Sequence, residues 1–298
     1  MRWMPLIVAS VCVIVGLAGL FGGLALPAPS WLLWLAVVPA GAVAVNEVLG
    51  KPVPFLRWSF LRMLFRMSHL LENWQVGDGR EQRVADYVVA KARRGDVDDV
   101  IRVIDDFGWH QSLLINVGDK KGPILDKAVR DARPKLVLEV GAYIGYSALR
   151  MSRCLPEGGR VSSVEFNPSN ADLARRIVAH AGADDRIKFV VGTLGDGGAT
   201  IARLASEHGF AKGTLDLVFL DHDKHVYLSD LQRILEQGWL HRGSVVVADN
   251  VKFPGAPEYR AYMQSQEGKL WRTVEHSAPI EYQSVIQDLV LVSEYLGS

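Results

Sequence analysis

Short apolar runs alternate with stretches of helical periodicity through the second half of the chain. The apolar runs cover residues 136–138, 161–164, 187–191, 215–220 and 245–248, and the helical stretches between them cover 146–154, 168–181, 197–209 and 227–237. This alternation predicts an α/β domain with a doubly wound, mostly parallel sheet and right-handed crossover connections. A last pair of runs, 271–276 and 285–292, has no helix long enough between its members, so we expect an antiparallel C-terminal hairpin at the sheet edge.

The first fifty residues explain why the mean hydropathy of the chain, +0.12, is high for a soluble protein. Residues 4–26 carry no charged side chain and are long enough to span a hydrocarbon core of roughly 30 Å. After a break at 27–30, a second uncharged run covers 31–45, which is marginal for a span and contains Pro39. We therefore predict a membrane anchor of one or two transmembrane helices over residues 1–50. The alternative is a cleaved signal peptide, which is not typically followed by a second apolar run.

A basic segment, residues 51–76, follows the predicted anchor. Between positions 51 and 70 the basic residues Lys51, Arg57, Arg62 and Arg66 occur without a single acid. The positive-inside rule places this segment, and with it the remaining domain over 77–298, on the cytoplasmic side of the membrane. Apolar residues interleaved with the basic ones over 55–74 predict an interfacial helix in contact with the lipid bilayer. A helix packed on the domain is the alternative.

Charge and cysteine content exclude several classes of protein. The 33 Lys and Arg residues balance 33 Asp and Glu residues, which argues against a nucleic-acid partner bound mainly through its phosphates. The 2 cysteines, Cys12 and Cys154, are too few for a disulfide framework. The histidines His222, His225 and His241 lack the spacing of transition-metal motifs. The sequence does not indicate an oligomeric state.

A glycine-rich turn follows the first predicted strand. Residues 139–147 read Glu-Val-Gly-Ala-Tyr-Ile-Gly-Tyr-Ser, in which the glycines let the backbone approach a ligand and the following helix N-terminus favours an anion. The G-x-x-x-G spacing differs from the dinucleotide fingerprint, so a bound pyrophosphate is not specifically indicated. Glu165 ends the second strand, where a carboxylate can accept hydrogen bonds from two ribose hydroxyls. Each feature alone is common in loops, but together they predict a nucleoside ligand.

Oxygen-bearing side chains end the fourth and fifth predicted strands. Asp221 follows the fourth strand, and Asp249 and Asn250 follow the fifth. Because the carboxyl ends of neighbouring parallel strands meet at one edge of the sheet, we expect these side chains to converge. They are hard oxygen ligands of the kind that Mg²⁺ prefers. The alternatives are a helix cap at Asp221 and an Asx turn at 249–250.

Seven segments together resemble the catechol O-methyltransferase family, including its membrane-anchored form. They are GDGREQRV (77–84), INVGDKKG (115–122), LEVGAYIGYSALRMSR (138–153), VEFNP (164–168), LDLVFLDHDK (215–224), VVADNVKFPGAP (246–257) and IEY (280–282). The resemblance spans about 200 residues with short gaps. It implies the Rossmann-like fold of class I methyltransferases. It also implies Mg²⁺-dependent transfer of a methyl group from S-adenosylmethionine to a catechol hydroxyl.

The resemblance implies roles for individual residues of this chain. Lys224 would be the general base for a direct SN2 transfer, and Glu281 would hold the second substrate hydroxyl. The metal ligands would be Asp221, Asp249 and Asn250. The residues implied in binding S-adenosylmethionine are Val117, Glu139, Gly141, Tyr143, Ser147, Glu165, Phe166, Gly192, Leu194, Asp221 and His222. The residues implied in binding the substrate are Lys224, Asn250, Glu281, Pro254 and Asp223.

Three places in the chain depart from the family's pattern. Asp223 stands where the family usually has an aromatic wall of the substrate slot. Leu113 stands at the other aromatic position, with Trp109 one helical turn away. Residues 192–195 read Gly-Thr-Leu-Gly instead of Gly-Ala-Ser-Gln near the adenine, so we expect the adenine to pack on Leu194. The acid at 223 predicts weaker binding of apolar catechols and a preference for cationic or more polar ones.

Two other functions stay open at this point. One is methyl transfer to another phenolic acceptor or to a membrane-borne quinol, which Asp223 and the altered adenine segment motivate. The other is a membrane-tethered binding protein with little catalysis. Five residues argue against the binding protein, because mere binding of a partner does not require this combination of side chains. They are Asp221, Lys224, Asp249, Asn250 and Glu281.

Overall fold

The computed structural model describes residues 30–50, 53–283 and 285–297. The chain divides into two compact units, Met1–Leu70 and Leu71–Ser298, and each is described by itself. The predicted division into an anchor, a basic segment and a catalytic domain stays a prediction.

The N-terminal unit contains helices α1 (Ser30–Val48) and α2 (Trp58–Phe65). The Asn46 side chain forms two hydrogen bonds with the backbone of Val53, between the two helices. Its Nδ2 donates to the Val53 carbonyl at 3.0 Å, and its Oδ1 accepts from the Val53 amide at 2.8 Å. The prediction of a single helix over 55–74 is wrong. The chain leaves the helical conformation at Arg66 (φ −115, ψ 25), so α2 ends there and α3 (Met67–Asn73) begins anew.

The predicted membrane spans fall only partly within the described residues. The second apolar run, 31–45, lies in α1. Across residues 30–50, 53–283 and 285–297, no helix combines the length and the apolar character needed to cross a membrane. The first run, 4–26, lies outside the described residues, so an anchor there stays a prediction.

The C-terminal unit is built on a seven-stranded sheet with the strand order β3-β2-β1-β4-β5-β7-β6. Its strands are β1 (Leu136–Val140), β2 (Arg160–Glu165), β3 (Ile187–Val191), β4 (Leu215–Leu220), β5 (Leu240–Ala248), β6 (Trp271–Pro279) and β7 (Gln287–Tyr295). Strands β1 to β5 pair in parallel, and β7 pairs antiparallel with both β5 and β6. The predicted Rossmann-like, mostly parallel sheet with a C-terminal edge hairpin is confirmed.

Helices precede β1 and connect the parallel strands, and those that follow β1 to β4 lie where the periodicity predicts them. They are α4 (Arg80–Lys91), α5 (Val97–His110), α6 (Gly118–Ala132), α7 (Tyr146–Cys154), α8 (Pro168–Ala181), α9 (Ala199–His208), α10 (Tyr227–Glu236) and α11 (Pro257–Ser265). Residues with known capping preferences occur at the ends of several of these helices. Asp96 caps α5 by accepting from the Asp99 amide at 2.9 Å, and Gly182 ends α8 in the left-handed conformation. The short helix α11 has no clear apolar periodicity and was not predicted.

Hydrophobic side chains cover both faces of the sheet. Along β4, Leu217 and Phe219 pack into one buried cluster, whereas Val218 and Leu220 pack into the other. Successive strand residues point to opposite faces, so a fully apolar strand such as β4 requires helices on both sides. With both faces filled, the loops at the carboxyl ends of the strands are the place where polar ligand-binding groups can gather.

A half-buried carboxylate connects α5 with the start of α7 and with the loop between β6 and β7. Asp105 of α5 accepts hydrogen bonds from the hydroxyls of Tyr146, at 2.7 Å, and Tyr282, at 3.2 Å. Burial raises the pKa of Asp105 to about 6, although the hydrogen bond from Tyr146 opposes the shift. The folded protein therefore binds a proton at this carboxyl more readily than the unfolded chain does.

We expect Asp105→Asn to flatten the pH dependence of stability. Because the pKa of Asp105 is raised from 3.8 to about 6 on folding, its contribution is fully present below about pH 4 and is lost as the pH rises through 6. Between pH 4 and 7 the wild-type protein should lose about 2–3 kcal/mol more unfolding free energy than the variant. Urea unfolding across this range measures the difference. Asp131→Asn removes an exposed carboxylate and should keep the wild-type slope, and a wild-type slope in Asp105→Asn would contradict the prediction.

Candidate active site

The carboxyl ends of β1, β4 and β5 meet at one edge of the sheet. Val140 pairs in register with Leu220, and Leu220 pairs with Ala248. Asp221 and Asp249, the next residues after β4 and β5, therefore leave the sheet side by side. The convergence predicted from the sequence is present.

Gly141 is the point where the loop after β1 lies against the backbone of the loop after β4. Its φ is +98°, and a Cβ atom at this position would lie 2.5 Å from the backbone oxygen of Asp221. Only glycine fits such a position, because any side chain would collide with backbone and adopt a strained conformation. The glycine-rich turn after β1 thus packs directly against the loop after β4.

The Glu165 side chain stabilises the same glycine-rich turn through hydrogen bonds. Its Oε2 accepts from the backbone amides of Ala142, at 3.1 Å, and Tyr143, at 2.8 Å, and its Oε1 accepts from the Asn167 amide at 2.9 Å. Gly192 lies alongside, since its amide donates to the Glu165 carbonyl at 3.0 Å. Burial raises the pKa of Glu165 in spite of these hydrogen bonds. The carboxylate predicted to bind a ribose therefore also fixes the shape of the turn.

Glu139, in β1 beneath the turn, is completely buried. It accepts a hydrogen bond from the Ser163 hydroxyl on β2. Burial raises the pKa of Glu139 to about 7, and the nearby charges of Asp221 and Glu165 act in the same direction. A carboxylate that is completely buried needs hydrogen-bond donors around it, and a bound ligand with a cationic group could provide one.

Lys224 lies at the start of a short 3₁₀ turn, Lys224–Val226, that follows β4. Its Nζ donates to Asp221 Oδ1 at 2.9 Å and to the Tyr227 hydroxyl at 2.8 Å. The Tyr227 hydroxyl in turn donates to the Leu220 carbonyl at 2.8 Å. The ammonium group is thus held in a defined position beside the loop that contacts Gly141.

A second lysine, Lys121 of α6, lies completely buried among three acids. Its Nζ is 2.8 Å from Asp249 Oδ1, 2.5 Å from Glu281 Oε1 and 3.1 Å from Asp288 Oδ2. Burial alone would lower the pKa of Lys121, but the three carboxylates raise it well above its ordinary value. Together with Asp221, these three acids form what we call the carboxylate cluster.

The predicted metal ligands Asp221, Asp249 and Asn250 lie in and beside the carboxylate cluster. Burial raises the pKa of Asp249, and the charges of Asp221 and Glu281 add to the shift. Asp249 Oδ2 is buried and has no hydrogen-bond partner within the described part of the chain. Among the described residues, no three His, Cys, Asp or Glu side chains are arranged as a complete metal site.

Of the residues predicted to contact the substrate, Glu281 belongs to the carboxylate cluster and Lys224 contacts its member Asp221. Asn250 adopts the left-handed conformation (φ +55°), and its Nδ2 lies 3.4 Å from Glu281 Oε1. Pro254 lies in the irregular turn Val251–Gly255 that follows. Asp223 Oδ1 accepts from the His225 amide at 3.0 Å, so this acid caps the Lys224–Val226 turn.

The other residues predicted to bind the cofactor differ in how far they are exposed to solvent. Val117 and Ser147 are buried, and Phe166 is half exposed. Leu194 is only 1% exposed and packs within the core. The His222 Nε2 lies 2.9 Å from Asp230 Oδ2. Leu113, at the position of a family aromatic, is buried, and its carbonyl accepts from Arg80 Nη1 at 2.5 Å.

Residues 104–275 match a family model described as O-methyltransferase. The chain belongs to the O-methyltransferase family. A probable O-methyltransferase of Mycobacterium tuberculosis is 61% identical over 223 residues, which cover 75% of this chain and 95% of that protein. The catechol O-methyltransferase of Bos taurus is 34% identical over 264 residues, which cover 89% of this chain and 94% of that protein.

These matches confirm the predicted resemblance to catechol O-methyltransferases and the prediction that the chain is an enzyme rather than a binding protein. The fold agrees as well. An O-methyltransferase of Bacillus cereus solved in complex with SAH aligns with a TM-score of 0.51 at 16% identity, over 80% of this chain and 99% of that one. At this identity the likeness shows the methyltransferase fold alone.

Two site residues of this O-methyltransferase were missed from the sequence. Lys121 lies within the segment INVGDKKG, but a lysine beside a second lysine on an amphipathic helix is normally a solvated residue. Asp288 opens an apolar run on an edge hairpin, where an acid is normally exposed. Both become recognisable only when the loop after β5 and the start of β7 are placed next to α6.

Proposed function

We propose that this O-methyltransferase transfers the methyl group of S-adenosylmethionine to one hydroxyl of a catechol, with Mg²⁺ at the carboxylate cluster. One observation carries the proposal, namely that Asp221 joins the two halves of the site. Its backbone oxygen lies against Gly141, in the turn where we expect the cofactor, and its Oδ1 accepts from Lys224 Nζ at 2.9 Å. A group that can move a proton therefore lies next to the cofactor turn.

The comparisons support both reactants. The Bos taurus relative, which matches 89% of this chain, is a catechol O-methyltransferase and supports a catechol as acceptor. The Bacillus cereus neighbour was solved with SAH, the molecule that remains when S-adenosylmethionine has lost its methyl group. We expect the nucleoside part of the cofactor at Glu165 and its methionine part near Val117, Glu139 and Ser147.

The charges of the carboxylate cluster fit a divalent cation. Its four carboxyl groups contact only two lysine side chains, Lys121 and Lys224, so acidic groups outnumber basic ones by two. The buried, unpartnered Oδ2 of Asp249 fits a metal ligand, as do the oxygen donors on Asp221 and Asn250. Bound Mg²⁺ would favour the anionic form of a substrate hydroxyl and orient it.

Lys224 would accept the proton of the reacting hydroxyl. A phenolic hydroxyl has a pKa near ~10 and is a poor nucleophile at neutral pH. Lys224 Nζ, held by Asp221 and Tyr227, would take this proton after it has released its own. Glu281, with 15% of its side chain exposed, would accept a hydrogen bond from the second hydroxyl. S-adenosylmethionine supplies an electrophilic methyl group, so correct alignment allows one direct displacement.

Lys224→Met should abolish most catechol methylation without loss of cofactor binding. Removal of a general base lowers kcat by about 10²–10⁴-fold, while the glycine-rich turn and its contacts remain. Methyl transfer to a panel of catechols, measured with and without EDTA, gives the rate, and titration with SAH gives the cofactor affinity. Wild-type activity should disappear in EDTA and return with added Mg²⁺.

The control for this experiment is Lys127→Met, which removes a lysine with 71% of its side chain exposed and should keep wild-type activity. Full activity of Lys224→Met would exclude Lys224 as the base. Turnover that is unaffected by EDTA would exclude the metal, and turnover of no catechol at all would favour a phenolic or quinol-type acceptor.

Asp223 supports a preference among acceptors. An acid beside the base would attract cationic catechols and repel carboxylated ones. The side chain also caps a turn, so a variant must keep the cap while it removes the charge. Asparagine meets this condition, because its side-chain oxygen is an equally good cap.

Asp223→Asn should reduce the preference for a catecholamine over a carboxylated catechol by about 2–5-fold, as expected for one partly exposed charge. The ratio of kcat/KM values for the two substrates measures this effect. Asp131→Asn, on the exposed side of α6, should leave the ratio unchanged. An identical ratio in Asp223→Asn and wild type would exclude Asp223 as a determinant of specificity.

We propose that residues 1–50 anchor the enzyme in a membrane, with the catalytic domain on the cytoplasmic side. The uncharged run 4–26 and the basic residues after position 50 support this topology. The full chain should stay with the membrane fraction after carbonate extraction, and a variant that begins at residue 51 should become extractable. Extraction of the full chain into the supernatant would contradict the anchor.

A further inference from the structure

Asp288 of β7 is completely buried and accepts hydrogen bonds from four donors. Its Oδ1 accepts from the backbone amides of Lys252, at 3.1 Å, and Phe253, at 2.8 Å. Its Oδ2 accepts from Asn250 Nδ2 at 3.0 Å and from Lys121 Nζ at 3.1 Å. One carboxylate thus joins an implied metal ligand, the turn that carries Pro254 and the buried lysine of the carboxylate cluster.

These contacts determine the orientation of the Asn250 amide. Its Nδ2 lies between two carboxylate oxygens, Asp288 Oδ2 at 3.0 Å and Glu281 Oε1 at 3.4 Å. A rotation of the amide by 180° would bring Oδ1 against both carboxylates, where lone pairs would face lone pairs. The Asn250 Oδ1 is therefore kept on the side away from these acids, as the only oxygen of this side chain that can serve as a ligand.

Asp288 also fixes the substrate side of the site. The two backbone amides that it binds are successive, and they directly precede Pro254 in the turn Val251–Gly255. The backbone of this turn leaves the helical conformation at Phe253 (φ −141, ψ 119), whose amide is one of the two that Asp288 binds. The position of the Pro254 ring therefore depends on the Asp288 carboxylate.

We infer that Asp288 is a positioning residue that sets both the Asn250 ligand oxygen and the Pro254 wall, and so determines which of two adjacent hydroxyls is methylated. This inference rests on the proposed function. Asp288 itself does not touch the reactants, and it acts through Asn250 and the turn. A substitution that removes some of the hydrogen bonds accepted by Asp288 should therefore change both the metal affinity and the ratio of the two methylated products.

The test is Asp288→Asn, examined in the full chain. An amide presents one oxygen and one NH₂ group, so two of the four donors lose their acceptor whichever way the amide is turned. Mn²⁺ affinity, measured without substrate by the EPR signal of free Mn²⁺, should fall by about 10–100-fold. The meta-to-para product ratio on an asymmetric catechol should shift at least about 2-fold, while SAH affinity stays at the wild-type value.

Asp126→Asn is the matched control, because Asp126 is also buried and is bound to Arg150 and Arg153 away from the cluster. It should lose stability but keep the Mn²⁺ affinity and the product ratio. If Asp288→Asn does not fold, Asp288→Glu replaces it in the same measurements, since the added methylene displaces both oxygens. A folded variant at position 288 with wild-type Mn²⁺ affinity and product ratio would overturn the inference and leave the proposed function intact. A wild-type chain that binds no Mn²⁺ would overturn both.

Discussion

The site depends on four carboxylates at the end of an apolar sheet, of which Asp249 and Asp288 are completely buried. Acids removed from water destabilise a fold by several kcal/mol unless cations and donors accompany them. Lys121 meets this requirement for three of them, since its ammonium group contacts Asp249, Glu281 and Asp288 within 3.1 Å. These acids follow β5, precede β7 and lie in β7, so one lysine from α6 holds three separate parts of the chain.

The two lysines of the site lie in different surroundings. Lys121 is enclosed by carboxylates and serves the structure, whereas Lys224 contacts Asp221 and the Tyr227 hydroxyl beside the glycine-rich turn. The close approach of Gly141 to the Asp221 backbone joins the two regions without any side chain between them. Rigid strand ends and buried ion pairs thus place the groups that a methyl transfer needs to align.

Much of this arrangement follows from local patterns in the sequence. The short continuous apolar runs predicted β1 to β5 and a mostly parallel sheet, because strands that are covered on both faces are apolar throughout. The Asp96 cap and the Gly182 helix end follow from backbone chemistry that needs no tertiary context. Asp221 and Asp249 were expected to meet, since parallel neighbouring strands end at the same edge. The break at Arg66 carries no glycine or proline, and the sequence therefore did not reveal it.

The sequence by itself determined the fold class, the family and the residues at the strand ends, because these depend on short-range periodicity and on motifs that are contiguous in the chain. Only the tertiary structure decided the partners of the charged groups. Lys121 and Asp288 are 167 residues apart, and no local pattern shows that their side chains share a hydrogen bond. Likewise, Glu165 was expected to bind a ribose, but only the folded turn shows that it also holds the amides of Ala142 and Tyr143. Long-range electrostatic pairing is a property of the packed molecule, since it arises only where the core removes charges from water.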